Sequence, residues 1–402
     1  MLRNLLFLLP LLFLFWACTD STSFDLPAPA SPERILQPWS QDVNRWSWDG
    51  ETPELLLGAS SFEAPFLEKE WKEELNYLKK AGGNYVRISL PALDSAGYSP
   101  FGSTEGGSGY DLTTFSQDYW KKLETYLTYA SGLGVVVEID VWDLRGISGG
   151  SGGRGIWMSS ESEPLIKATL EKEFLPGEHP FFQTVPGSMQ HREKYGAVLD
   201  IQRYFVDRML TTTLPFTNVI YNVQVPDNSL IPWMVYWAKH IEASGKGQGR
   251  TALINAGIVP ERRVNVARFN ESVLRGAAVA FHRPKPNGNG MNGLAQASIR
   301  GLRVVERHLK FHELRPAPDL LLEDDTEATA ATDGKGNYLI YLPAAGSVNL
   351  SPDWEAEVPV DVTVVGYLGT QRTEVLQPPY GDSFRLYTEE EKGGWMILKP
   401  QR

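Results

Sequence analysis

From residue 55 onward, short apolar runs alternate with longer stretches in which apolar side chains recur every three or four positions. The runs 55–59, 85–90 and 135–141 have the length and β-branched content of strands. Residues 218–223, 251–256, 277–281 and 319–322 repeat the pattern. Between them, Phe66, Trp71, Leu75 and Leu78 share one helical face that ends at Ala81-Gly82-Gly83, and 115–133 is a second amphipathic stretch closed by Gly134. Residues 196–210, 233–243 and 294–312 are further helical stretches. Strands that alternate with helices at this spacing predict parallel βαβ units, because parallel neighbours need a crossover between them. The expected fold is α/β: a (β/α)8 barrel over residues 50–332; only seven strand runs can be counted, so either one run escapes the pattern or the barrel is irregular near its last strand, at 325–332.

After Gly334 the period changes. Residues 338–343, 347–350, 360–367, 384–387 and 395–398 are short strand-like runs separated by turn residues, with no helical stretch between them. They predict a small antiparallel β-sandwich over 333–402. A long insertion, 144–196, follows the strand at 135–141; it opens with a Gly-rich run and later carries His179-Pro180-Phe181-Phe182. In a barrel it would stand on the face where active sites are built, and its aromatic half is expected either to wall a cleft or to be a surface insertion.

Ahead of all this, Arg3, an apolar run and Ala17-Cys18 predict a secretory signal over 1–17, too short to span a bilayer, which needs about 20 apolar residues. Cys18 is the chain's only cysteine and stands where a lipoprotein signal places its lipidated thiol, although Phe15 and Trp16 are bulkier than is usual there. Residues 18–49 are expected to be a flexible tether. With one cysteine, no internal disulfide can form. The reading is therefore an exported protein held in a bacterial cell envelope by a lipid. A formal charge of −11 opposes binding to nucleic acid or to anionic lipid.

Polar residues at the ends of barrel strands point towards one bowl, so the last polar residue of each strand is a candidate. This yields Arg87, Asp140 with Trp142 and Asp143, Asn222 with Gln224 and Asp227, His282, and Glu323 in an acidic run. Carboxylates for acid and nucleophile work, with aromatic faces for stacking, suit a carbohydrate. The histidines show no metal-ligand spacing, and no cofactor is expected.

These residues carry a resemblance. Gly83-Asn84-Tyr85-Val86-Arg87-Ile88 resembles the second-strand motif of clan A glycoside hydrolases, the group of the family 5 cellulases, in which the Arg supports a nucleophilic carboxylate. Ala280-Phe281-His282 resembles their sixth strand, and Asn218-Val219-Ile220-Tyr221 the run into their fourth, which ends there in an Asn-Glu pair. Here that pair falls on Val225-Pro226, so the acid/base is missing. A second resemblance, from Gly58 to Trp395, is to bacterial glycosidase-like proteins that end in a collagen-binding-type β domain. It rests on Pro318-Asp319-Leu320-Leu321, Thr326-Glu327-Ala328, the run from Gly336 to Pro343, and Gly394-Trp395.

What the resemblance implies is a hydrolase in which Glu323 is nucleophile, Asp227 or Asp143 is acid, and Arg87 and His282 orient the first. Each residue also has a plainer role: Arg87 as the partner of Asp140, Trp142 as core, His282 as a structural residue, Glu323 as part of a solvated turn. The alternatives to a hydrolase are a non-catalytic carbohydrate-binding lipoprotein and a structural envelope protein.

Overall fold

The computed structural model describes residues 35–90, 98–104, 110–142, 181–186, 191–225, 228–257, 266–285, 288–324, 327–354, 358–377 and 384–401. Three short strands come first: β1 (Gln37–Trp39), β2 (Asp42–Ser47) and β3 (Pro53–Glu54), joined in an antiparallel sheet. Then follow β4 (Leu56–Ala59), α1 (Trp71–Lys80), β5 (Tyr85–Ser89), the paired β6 (Phe101–Ser103) and β7 (Tyr110–Phe115), α2 (Gln117–Gly132) and β8 (Val136–Asp140). After the insertion come α3 (His191–Thr213), β9 (Val219–Asn222), α4 (Ile231–Gly247), β10 (Leu253–Asn255), α5 (Val266–Leu274), β11 (Val279–His282) and α6 (Gly293–Glu306).

Six of these strands form one parallel sheet in the order β10-β9-β8-β5-β4-β11. The crossovers expected from the βα alternation are present, and the strand runs fall within two residues of their expected bounds. Ser116 caps α2 by accepting the Tyr119 N–H, and Asn292 caps α6 by accepting that of Ala295.

Successive side chains on a strand face opposite ways, and the two faces of this sheet differ in kind. Val86, Ile88, Val137, Ile139, Val219 and Tyr221 face the helices and belong to the main core. Leu56, Tyr85, Val136, Ile220 and Leu253 face inward and form a separate apolar cluster at the strands' N-terminal ends. Gly58 belongs to the inward set, and a Cβ there would lie 1.9 Å from the Tyr85 carbonyl oxygen, so only glycine lets β4 approach β5 so closely.

The segment 35–49 is not the flexible tether that its composition implies. Leu36 and Trp46 close over the inward apolar cluster, and β1 to β3 cap the N-terminal end of the sheet. The reason is the cluster itself, since its apolar surface would otherwise face water.

A second correction concerns the last barrel strand. Among the described residues the sheet ends at β10 and β11, so a closed eight-stranded ring is not formed by them. The run 319–322 does not join it. Pro318–Leu320 is a 3-10 turn, and Leu321–Asp324 forms a strand that runs antiparallel to Gly346–Leu350. Leu320 sits in the same apolar cluster as Val348 and Leu350, and its carbonyl accepts the Ser351 N–H, so burial draws the segment into the C-terminal region.

That region contains β12 (Arg315–Pro316), β13 (Leu321–Asp324), β14 (Thr329–Thr332), β15 (Tyr338–Leu342), β16 (Gly346–Leu350), β17 (Val360–Gly366), β18 (Gln371–Leu376), β19 (Phe384–Thr388) and β20 (Gly394–Pro400). They form two antiparallel sheets, β12-β14-β15-β20-β17-β18 and β13-β16-β19. Residues of both, among them Ile340, Val348, Val362, Leu386 and Met396, share one apolar cluster. The larger sheet turns its other face, with Leu339, Tyr341, Val365, Trp395 and Ile397, into the main core of the α/β region.

Candidate functional site

The inward face of the parallel sheet changes from apolar to polar along the strands. Tyr85 on β5 stands level with Val136, and above it the face carries Arg87 and Ser89 on β5, Glu138 and Asp140 on β8, Asn222 on β9 and Asn255 on β10. Arg87 Nε donates to both carboxylate oxygens of Asp140, at 2.8 and 3.0 Å, and its Nη2 lies 2.8 Å from Oδ1. Asn222 Nδ2 and Ser89 Oγ donate to the same carboxylate. Beneath it, Glu138 accepts from the Tyr85 hydroxyl at 2.9 Å and from Asn255 Nδ2 at 3.3 Å, with Arg87 Nε at 3.9 Å. Gln224 Nε2 donates to Asn255 Oδ1 at 3.1 Å.

Burial pushes the Glu138 carboxyl above its ordinary value; Arg87 pulls it down and Asp140 pushes it up again. For Arg87, burial works against the charge, but Asp140 and Glu138 outweigh it and hold the guanidinium above its ordinary value. Glu138 is only 2% exposed, whereas the side chains of Arg87 and Asp140 are 26% and 18% exposed. The network thus opens at its upper rim, where Gln224 and Asn255 are half-buried.

The strand-end residues do not all meet. Arg87, Asp140, Asn222 and Gln224 come together as expected, and the network adds Tyr85, Ser89, Glu138 and Asn255. His282 faces the other way. Its neighbour Phe281 packs inside, against Tyr85, and strand alternation therefore sends the imidazole outward onto Phe269, with ring centroids 3.9 Å apart. Trp142 is 5% exposed and lies among Phe181, Phe205, Trp233 and Trp237, so it is core and no stacking platform. The chain bends at Val141–Trp142, which turns the indole out of the bowl. Phe181 and Phe182, taken as a possible cleft wall, are buried in the same aromatic group. Glu323 stands on β13, outside the parallel sheet. Asp143, Asp227 and Cys18 lie outside the described residues.

His282 is 2% exposed, and burial lowers its pKa from 6.5 to about 4. A depressed folded pKa contributes stability above the unfolded value that is lost as pH falls through 6.5 towards 4. The expected loss is about 3 kcal/mol at 1.36 kcal/mol per unit. Urea titrations at pH 7, 5.5 and 4 are expected to show this loss in the native chain and a flatter response in His282→Phe. Parallel pH dependence in the two proteins would contradict it.

No protein-family model and no curated protein matches the chain. Among solved structures it is similar to a glycoside hydrolase family 5 protein from Bacteroides vulgatus, with 12% identity, 90% of this chain and 92% of that one covered, and a TM-score of 0.47. It is similar to a second glycoside hydrolase, at 11% identity, 93% and 98% coverage and a TM-score of 0.46. A third is a GH30 endoxylanase from Clostridium papyrosolvens, at 10% identity, 87% and 97% coverage and a TM-score of 0.34. The chain's own geometry defines an α/β protein whose parallel sheet holds a buried Arg–carboxylate–amide network beneath its C-terminal edge.

Proposed function

We propose that the protein is an exported, lipid-anchored carbohydrate-binding protein on a glycosidase-type (β/α) barrel, and that it holds a saccharide at the strands' C-terminal edge without cleaving it. The collagen-binding-type β-sandwich is then its C-terminal module. One observation carries the reading: among the described residues, both carboxylates on the inward face of the sheet are already committed. Asp140 is clamped by Arg87 and takes hydrogen bonds from Asn222 and Ser89, and Glu138 is buried under it. Glycoside hydrolysis needs two carboxyl groups that flank the bond, about 5–5.5 or 6.5–9.5 Å apart, one of them able to give up a proton. Glu323 stands on β13, outside the parallel sheet, and this supports a reading without hydrolysis.

What the rim does offer is paired donors and acceptors. The amides of Gln224 and Asn255 beside the Arg87–Asp140 pair match the donor and acceptor pattern of vicinal hydroxyls. Calorimetry with a panel of neutral oligosaccharides is expected to show binding that falls about tenfold or more, some 1.4 kcal/mol, in the Gln224→Ala/Asn255→Ala double variant. Aryl glycosides are expected to stay intact. Turnover that vanishes in Asp227→Asn or Asp143→Asn would replace this reading with a hydrolase. Envelope attachment is expected to be lost in Cys18→Ser; a variant that still partitions with membranes would remove the lipid anchor.

A further inference from the structure

On the opposite face from the polar rim, where the parallel strands begin, lies a cavity of about 570 Å³. The cap sheet and the residue after its strand β2 supply Glu54 and Trp48 to its wall, α6 supplies Arg303 and Glu306, the segment between α3 and β9 supplies Thr217 and Asn218, and the ends of α1 and α2 supply the rest. Its chemistry is specific in three respects. First, its charges balance, with Lys79 and Arg303 against Glu54 and Glu306. Each guanidinium nitrogen of Arg303 is also engaged: Nε donates to the Gly82 carbonyl at 2.8 Å, Nη2 to the Leu55 carbonyl at 3.0 Å, and Nη1 to Glu306 at 2.7 Å. A guanidinium so compensated is a poor trap for an anion.

Second, α1 and α2 both end at this cavity, where residues 82–83 and 131–134 line it. Helix C-termini present carbonyl oxygens and the negative end of the dipole, which favours hydroxyl donors and disfavours phosphate or carboxylate. Third, Asn218 lines the cavity, is 2% exposed, and leaves its Oδ1 without a hydrogen-bond partner while Nδ2 holds the Val135 carbonyl at 2.7 Å. A buried acceptor left open in this way costs free energy unless something supplies a donor.

On the other side of Glu306, which lines both spaces, lies a second cavity of about 260 Å³ beside the cap sheet. It too mixes signs, with Arg45 and Lys310 against Glu51. The ligand that fits is therefore uncharged, rich in hydroxyls and longer than one ring, with Trp48 as an apolar wall for a sugar face.

We infer that this N-terminal groove is a second binding site, for a neutral oligosaccharide, separate from the polar rim. The inference does not depend on the rim: it stands on the groove's own lining. The test uses the full chain with cellotriose, mannotriose, xylotriose and N-acetylchitotriose as probes, and inorganic phosphate as the charged control. Saturation-transfer NMR and calorimetry are expected to detect at least one neutral trisaccharide and no phosphate. Trp48→Ala is expected to weaken that binding about tenfold or more. Ser131→Phe, which fills the cavity from a half-buried helix position, is expected to abolish it. The Gln224→Ala/Asn255→Ala double variant is expected to leave this component unchanged, which separates it from binding at the rim. The inference is overturned if no trisaccharide binds, if binding survives Ser131→Phe in a folded protein, or if only the rim variant affects it.

Discussion

Arg87→Met is expected to destabilise the protein by about 3–5 kcal/mol, because it strips the counter-charge from two inward-facing carboxylates at once. Asp140 loses its two-pronged partner, and Glu138, at 2% exposure, has no water to replace the guanidinium. The loss carries a pH signature. Burial already raises the Glu138 carboxyl above its ordinary 4.5, and removing Arg87 takes away the group that pulls it down. A raised folded pKa means that stability is retained below the unfolded value and lost as pH rises through the folded one. The deficit of Arg87→Met against the native chain is thus expected to be smallest near pH 4.5 and to grow towards pH 7.5, as read from urea midpoints. Adding Asp140→Asn to the variant is expected to restore part of it by removing one of the two like charges. Equal deficits at both pH values, or a loss below about 1 kcal/mol, would mean that the pair contributes no more than an exposed ion pair does.

The same network shows how far the sequence can be read. The six parallel strands and the helices α1 to α4 and α6 were legible because apolar runs and amphipathic periods mark them without reference to distant contacts. Arg87 and Asp140 were legible as strand-end polar residues. Glu138 and Asn255 were missed, although the signal was present: counting back by two from Asp140 gives Glu138, and the inward position of Leu253 gives Asn255. The rule of taking each strand's last polar residue ignored this alternation and so chose His282, which has the opposite parity to Phe281.

Other parts were illegible for a different reason. The run 319–322 has the apolar content of a barrel strand, and only its long-range pairing with β16 excludes it. Residues 35–49 look like linker by composition, and what folds them is an apolar cluster assembled from β4, β5, β8, β9 and β10. In each case a partner remote in the chain decided the structure, which local propensity does not encode.

Trp395→Ala is the test of whether the C-terminal sheets and the α/β region form one cooperative unit. Trp395 is 2% exposed on β20, faces Tyr341 with ring centroids 4.7 Å apart, and belongs to the apolar core that includes Ile299, Leu302 and Val305 of α6. Its strand neighbour Met396 faces the other way, into the cluster shared with the smaller sheet. The larger sheet is therefore packed on both sides, and its inner face supplies part of the core that covers α6. Truncating a buried Trp removes both its transfer free energy and its contacts, about 3–5 kcal/mol, and the glycine-lined contact at Gly301 of α6 leaves little that can collapse into the space. Because the lost contacts lie between the two regions, the expected result is a single urea transition shifted as a whole, with near- and far-ultraviolet dichroism moving together. Two separate transitions, with the helical signal unmoved, would mean that the parallel sheet and its helices stand without the β region. The Lys399 ammonium, which donates to the His308 carbonyl at 2.7 Å across the same boundary, supplies a control. Lys399→Met breaks that polar link while leaving the indole in place, and it is expected to cost only about 0.5–3 kcal/mol.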